Sequence, residues 1–199
     1  MTNADIIHTV VSETDDGVDT AFAVALERTL KFEGGWSNDP DDNGGKTKFG
    51  ITEATWNLYN YPNTPPRTIE QLTIPLAVNV YRRLYWSAAN LEALSYILPT
   101  RLTNDIFDAC VNHGTFRGCL LLQRAYNFIR RSHLPELRED GIIGGATLDA
   151  LAAFLKLSDY ENALLGAFRG ERYTFYVNIT KHNISQMKFI RSWMKRLVD

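Results

Sequence analysis

Residues Glu33 to Thr52 read E-G-G-W-S-N-D-P-D-D-N-G-G-K-T-K-F-G-I-T, and the rest of the chain is organised around this run. Upstream of it, Phe22, Leu26, Thr29 and Leu30 recur at helical spacing, and Glu33 falls on the same stripe, seven residues after Leu26. Gly34-Gly35 then offers the left-handed cap that ends a helix. A carboxylate therefore occupies the position where the next core side chain would stand. Half-burial there would disfavour the charged form, and so would the negative end of the helix dipole. Both raise the pKa, which is what a general acid working near neutral pH requires. An ordinary exposed glutamate in a fraying last turn has the same local spacing, so the residues downstream of Glu33 decide between the two.

Nine residues after Glu33 comes Asp42, and five after that Thr47, leading into Lys48-Phe49-Gly50-Ile51-Thr52. A Glu, a second carboxylate across a turn and a Thr opening a Gly-Ile segment are similar to the layout of phage-type lysozymes. The twenty residues in order resemble the signature of glycoside hydrolase family 108, the N-acetylmuramidases. That resemblance implies a lysozyme-like helical fold and hydrolysis of the β-1,4 bond between N-acetylmuramic acid and N-acetylglucosamine in peptidoglycan. It makes Glu33 the proton donor to the leaving oxygen. Asp42 would stabilise the oxocarbenium-like transition state or activate water, with Thr47 helping to hold that water. Asp39 or Asp41 can take the place of Asp42, because a loop's register is not fixed by spacing. No cofactor is required.

Asp39, Asp41 and Asn43 followed by Gly44 also fit the first half of an EF-hand loop. The bidentate Glu expected at its twelfth position is Gly50, and Lys46 at the eighth would set a cation beside the ion. Calcium is therefore not expected, and the segment is at the least a turn, since Asn-Gly and Gly-Gly supply positive φ. Cys110 and His113 have a ligand-like spacing, but no second pair accompanies them and zinc is not expected either. The two cysteines, Cys110 and Cys119, read as buried thiols of a reducing compartment and not as a disulfide framework.

With 199 residues the chain can bury a sizeable core, and 45% hydrophobic with 22% charged residues suits a globular protein. Residues 1–100 hold 7 Lys and Arg against 13 Asp and Glu, and residues 101–199 hold 14 against 10. The mildly basic second half is spread over helices as solvated surface. No basic cluster with stacked aromatics argues for nucleic acid. No apolar run reaches the length of a membrane span. The first 20 residues carry Asp5, Glu13, Asp15, Asp16 and Asp19 and no Lys or Arg, so no signal peptide is visible. The expectation is synthesis in the cytoplasm and action on the wall after holin-type release or a dedicated export route, as an endolysin or a secretion-associated enzyme.

Taken in order, residues 1–18 form an acidic lead-in, and Asp19 or Thr20 is placed to cap a first helix running to Glu33. Thr52 caps a second helix with Trp56, Leu58 and Tyr59. Thr68-x-x-Gln71 reads as a capping box, and Thr73 with Pro75 opens a helix through Trp86. A helix from about Thr103 to Asn112-His113-Gly114 carries Asp105 and Asp108, and Thr115 caps the next. The phrases D-A-C-V-N-H-G, from Asp108, and R-S-W-M-K-R-L, from Arg191, resemble segments of the same muramidase family. Asp140 to Thr147 resembles the D-G-x-x-G-x-x-T turn of helical peptidoglycan-binding modules, with Gly145 where proline is usual and Thr147 capping a helix to about Leu157. Ser158-x-x-Glu161 opens a long helix with Arg169, Arg172, Tyr173 and Tyr176, and Ile184 to Val198 closes the chain.

The expected fold is mainly α, lysozyme-like, with a small β-hairpin within residues 39–52. Residues 19–100 would form the catalytic half, and residues 101–199 a peptidoglycan-binding-like half completing one cleft with it. Candidate sugar contacts are Trp36, Tyr85, Trp86, Asn112 and His113; Tyr81 reads as core. The partner is the glycan strand of peptidoglycan, met by a monomer. A lytic transglycosylase using Glu33 alone, and a non-catalytic wall-binding or calcium-binding module, are the competing readings.

Overall fold

The computed structural model describes residues 17–32, 47–60, 68–157 and 160–198. Among the described residues the chain is mainly α with one small antiparallel hairpin, the lysozyme-like helical class expected. It divides into two compact units, Met1–Ala88 and Ala89–Asp199. Among the described residues no helix is long and apolar enough to cross a membrane.

The first unit opens with α1 (Gly17–Phe32). Phe22, Ala25, Leu26 and Thr29 are all 0% exposed, so the helical stripe read from the sequence is the buried face. The helix already includes Gly17, which leaves Asp19 and Thr20 inside its first turn instead of capping it. Strands β1 (Thr47–Lys48) and β2 (Ile51–Thr52) form the hairpin, and α2 (Glu53–Asn60) follows at once. Thr52 caps α2 as expected, its hydroxyl accepting the Thr55 N–H at 3.2 Å.

The box expected at Thr68 does not form. The Gln71 N–H it would have bonded donates to the Thr68 carbonyl at 3.1 Å, closing a short 3₁₀ turn over Ile69–Gln71. Helix α3 (Ile74–Tyr81) carries Pro75 in its first turn, where the missing N–H has no partner to lose. It widens into a π turn over Arg82–Trp86 and is not a uniform helix through Trp86. Around this corner the core is aromatic: the Phe22 and Trp86 rings meet edge-on at 5.4 Å, and Trp56 stacks on Tyr59 at 5.9 Å.

The second unit contains α4 (Leu91–Ser95), α5 (Thr100–His113), α6 (Thr115–Ile129), α7 (Gly145–Leu155), α8 (Tyr160–His182) and α9 (Ile190–Val198). Every residue of α5 from Leu102 to Cys110 is buried, including Asp105 and Asp108, which makes this the central helix of the unit. Gly114 at φ +83 turns α5 into α6, so Thr115 is the first helical residue and not the cap. The two helices pack closely because Gly118 has no side chain; a Cβ there would lie 2.5 Å from the Cys110 sulfur. The most extensive helix pairing joins α6 to α8.

Helix α7 starts at Gly145, and Thr147 is buried in its first turn with its hydroxyl donating to the Ile142 carbonyl at 3.4 Å. Thr147 is therefore not the cap expected; Gly144 occupies that position, without a side-chain bond. Gln123 on α6 binds that turn three ways. Its amide nitrogen donates to Asp140 Oδ1 (2.9 Å) and the Ile142 carbonyl (3.0 Å), and its oxygen accepts the Gly141 N–H (2.7 Å). Gly141 sits at φ +67, where a Cβ would also strike the Phe116 ring at 2.5 Å. Ser158 lies outside the described residues.

Candidate active site

Glu33, Trp36 and Asp42, with Asp39, Asp41 and Asn43, lie outside the described residues, so the candidate site is seen through the elements that flank them. Helix α1 runs to Phe32, the residue before Glu33. Beyond residue 46, Thr47 opens β1 and pairs across the hairpin with Thr52, while Lys48 pairs with Ile51. The connection is Phe49-Gly50, both with positive φ (54° and 74°). Positive φ at both central residues marks the tight two-residue turn whose twist matches antiparallel strands.

Gly50 adopts this conformation freely, but Phe49 is a bulky residue in a region that costs about 1–3 kcal/mol. Its neighbours hold it there. The buried Tyr81 hydroxyl donates to the Phe49 carbonyl at 2.9 Å, and Lys48 Nζ donates to the Glu70 carbonyl at 2.9 Å. Glu53, at the start of α2, accepts the Ile69 N–H at 3.2 Å. The hairpin bearing Thr47 is thus fastened to α3 and to the 3₁₀ turn, a rigid mount for a short hydroxyl.

The aromatic candidates separate. Tyr85 is half-buried, with its ring 5.9 Å from that of Tyr81. Trp86 is 0% exposed, so the ring expected at a sugar face is core. The π turn carries it inward onto Phe22, which sequence spacing alone does not reveal.

Asn112 and His113 end α5 and face inward. Asn112 Nδ2 donates to the Asp108 carbonyl (2.7 Å) and to Asp108 Oδ1 (3.1 Å). The His113 ring packs edge-on against Phe175 (4.8 Å) and Tyr176 (5.2 Å), and its Nε2 lies 3.2 Å from the Tyr176 hydroxyl. Burial, and then the Arg172 guanidinium, lower the His113 pKa to about 3. The ring is therefore neutral at pH 7. Tyr176 also accepts from Arg172 Nη2 at 3.0 Å, which links the histidine to the arginine through one hydroxyl. Asn112 Nδ2 and His113 Nε2 are thus engaged within the unit, at the end of α5.

Behind them lies a charged cluster whose members the sequence showed singly. Asp108 accepts from Arg172 Nη2 (2.5 Å) and Arg196 Nη1 (2.6 Å), and Asp105 accepts from Arg169 Nε (2.6 Å). Asp105 and Asp108 share one face of α5, and Arg169 and Arg172 share one face of α8, the spacing signal that was available. Arg196 gave none. Cys110 and Cys119 are both buried free thiols, and the neighbouring Cys119 together with burial holds the Cys110 thiol well above its ordinary pKa. Among the described residues no three His, Cys, Asp or Glu side chains are grouped as a metal site.

Two family models match the chain: Glycosyl hydrolase 108 over residues 26–114, and a predicted peptidoglycan domain over residues 117–198. No curated protein matches it by sequence. Among solved structures it is similar to Brucella abortus SagA, with 24% identity, a TM-score of 0.69, and coverage of 89% of this chain and 90% of that one. At that identity the likeness speaks for the fold. The two matched stretches lie end to end and carry both the hydrolase signature and the wall-directed domain. Residues 26–114 thus match the glycosyl hydrolase 108 model and residues 117–198 the peptidoglycan domain, and the chain is a glycoside hydrolase acting on peptidoglycan.

Proposed function

We propose that the chain is an N-acetylmuramidase, hydrolysing the β-1,4 bond between N-acetylmuramic acid and N-acetylglucosamine with Glu33 as the general acid. The observation that carries this reading is the glycosyl hydrolase 108 match, which spans Glu33, Asp42 and Thr47 in one unbroken stretch. The buried stripe of Phe22, Leu26 and Thr29 supports it, because in sequence that stripe runs on through half-buried Leu30 to Glu33. A carboxyl group continuing a buried face keeps its proton more readily than one in water. Asp42 serves as the second carboxylate, and Thr47, on its fastened hairpin, helps to hold the attacking water. Tyr85 remains the aromatic candidate near α3 for a sugar face. Trp86, being core, is not included.

A water between the two carboxyl groups requires the wider separation of inverting enzymes, about 6.5–9.5 Å, against about 5–5.5 Å for retaining ones. The short Thr47 hydroxyl suits a held water and favours inversion in this proposal. The test is Glu33→Gln, measured by the clearing of purified sacculi and by the products. The variant should fold as the native chain does and lose on the order of 10²–10⁴-fold in rate. The native enzyme should release new reducing ends, first as the α-anomer. Clearing by Glu33→Gln at near the native rate would remove Glu33 from the mechanism, and anhydro-sugar products would make the enzyme a transglycosylase.

A further inference from the structure

The cations of the second half are not evenly spread. From Arg172 to Val198 the chain carries six Lys or Arg and no Asp or Glu, in a protein whose formal net charge is −2. Two of the six, Arg172 and Arg196, are buried on Asp108. The other four, Lys181, Lys188, Arg191 and Lys195, are exposed. Among the described residues no Asp or Glu pairs with any of these four.

The segment that presents them also exposes apolar side chains. Asn183 caps a 3₁₀ turn over Ile184–Phe189, its Oδ1 accepting the Ser185 N–H at 3.1 Å, and α9 follows directly. Side chains three apart eclipse in a 3₁₀ turn, so Ile184 and Met187 share one side. They are 78% and 53% exposed. Lys188, Arg191 and Lys195 follow at helical spacing, which aligns them in a row one position further round. Lys188 Nζ stands over the Phe189 ring, itself 40% exposed, at 5.0 Å. The other side of α9 is taken up by the unit, where Trp193 stacks on Tyr176 at 4.8 Å and Arg196 reaches Asp108. Ile184 and Met187 thus stay outside although the same segment has an inward face.

We propose that this face docks on an anionic lipid surface, with Ile184 and Met187 entering the headgroup boundary and Lys188, Arg191 and Lys195 meeting the lipid phosphates. The proposal does not depend on the hydrolytic reading. Cations without counter-charges select an anionic partner. Aliphatic side chains exposed among them select one that has a hydrocarbon layer beneath its charges. Lys and Arg suit such a boundary, because their carbon stems lie along apolar surface while the charged ends reach the phosphates. A nucleic acid would meet the cations equally well, but its bases stack on aromatic rings and would leave Ile184 and Met187 in water. Among the described residues no helix is long and apolar enough to cross a membrane, so the attachment is to the surface alone.

The experiment sediments the full chain with vesicles, either of phosphatidylglycerol and phosphatidylcholine in equal parts or of phosphatidylcholine alone. The native chain should sediment with the anionic vesicles only, and less as salt is raised. Lys188→Gln with Arg191→Gln and Lys195→Gln should melt as the native chain does and partition on the order of 10²-fold more weakly, about fivefold for each cation. Ile184→Ser with Met187→Ser should lose about tenfold and keep the salt dependence. Equal sedimentation with the neutral vesicles, or none with the anionic ones, overturns the proposal. Native-like sedimentation of the triple variant overturns it too, since the cations would then not be the contact. The same result for the serine variant would leave charge attraction alone and remove the insertion. Displacement by free glycerol phosphate would make the face a phosphate site, and a native dimer dissociated by the serine variant would make it a contact between copies; either overturns the lipid reading.

Discussion

Arg196, in the last turn of α9, donates from Nη1 to Asp108 Oδ1 on α5 across 2.6 Å, and each side chain is only 5% exposed. The two residues lie 88 positions apart in the chain. Arg172 on α8 holds the other Asp108 oxygen at 2.5 Å, so a single carboxylate ties three helices together. Tyr176 adds an apolar layer to this joint, with Trp193 of α9 stacked on it at 4.8 Å. A buried ion pair is weak evidence of net stabilisation, because its attraction must first offset desolvation. Removing one partner is a different matter. Asp108→Ala would remove the carboxylate that two buried guanidinium groups share and should cost about 3–5 kcal/mol in urea unfolding. Arg196→Met leaves Asp108 with Arg172 and Asn112 and should cost clearly less. Equal losses from the two variants would show that Asp108 is not the shared node.

The neutral His113 gives the fold a pH dependence of predictable sign. Its folded pKa is about 3, against an ordinary value of 6.5, lowered by burial first and then by Arg172 and Arg196, with Asp108 opposing. Between those two values the unfolded chain binds a proton that the folded chain refuses. The stabilisation is therefore complete above pH 6.5 and is lost as the pH falls from 6.5 towards 3. One such proton gives a slope of about 1.4 kcal/mol per pH unit within the window. Between pH 6.5 and 5 few carboxylates titrate, so the histidine can be read by itself. His113→Gln keeps a hydrogen-bonding partner for the Tyr176 hydroxyl and removes the titration. Its urea midpoint should change less over that interval than the native one, and parallel curves would contradict the assignment.

How much could be read from the sequence depended on the range of the interactions. The α1 stripe was legible because Phe22, Leu26 and Thr29 sit at a fixed helical spacing, and the Thr52 cap because it bonds a residue three positions on. The Thr68 box failed on equally local grounds: a backbone carbonyl won the Gln71 N–H that the hydroxyl was expected to take. The inward turn of Trp86 depends on a π turn and on Phe22, far away in sequence. Asp105 and Asp108 stood out as polar residues on an apolar helix, but their partners Arg169, Arg172 and Arg196 became visible only when α8 and α9 packed against α5. The strained Phe49 was invisible for a related reason, since nothing in the side chain favours positive φ and only the closing of the hairpin imposes it.

The close passage of α5 and α6 predicts an intolerance at Gly118. An added Cβ would lie 2.5 Å from the Cys110 sulfur and 2.9 Å from the Cys110 backbone nitrogen, and a backbone atom in a buried helix cannot swing aside. Gly118→Ala should therefore destabilise the chain by about 1–3 kcal/mol, the usual range for overpacking a core. The double variant with Cys110→Ala removes the sulfur clash but not the clash with the nitrogen, so rescue should be partial. Full recovery of the melting temperature would mean that the side chain alone sets the spacing. Recovery of nothing would place the whole conflict in the backbone.

The hairpin that carries Thr47 links stability to the proposed chemistry, and two substitutions pull on it from opposite ends. Phe49→Asn puts at φ +54° a residue type that tolerates the left-handed region, and creates the Asn-Gly pair favoured in such turns. Relief of about 1–2 kcal/mol is offset by the loss of the Lys48 contact over the Phe49 ring, an exposed interaction of about 0.5–1 kcal/mol. The net effect should be a small rise in melting temperature. Tyr81→Phe deletes the hydroxyl that holds the Phe49 carbonyl, costs about 0.5–1.5 kcal/mol and loosens the turn without altering its sequence. If Thr47 must hold a water at a fixed distance from Glu33, Tyr81→Phe should slow the clearing of sacculi by more than its stability loss explains. Hydrogen exchange at the Lys48 and Ile51 amides should rise in the same variant, reporting the loosening directly. Faster exchange with unchanged clearing would free the reaction from the hairpin and remove Thr47 from the mechanism. Unchanged exchange would show that Lys48 and the Glu70 carbonyl alone are enough to hold the turn.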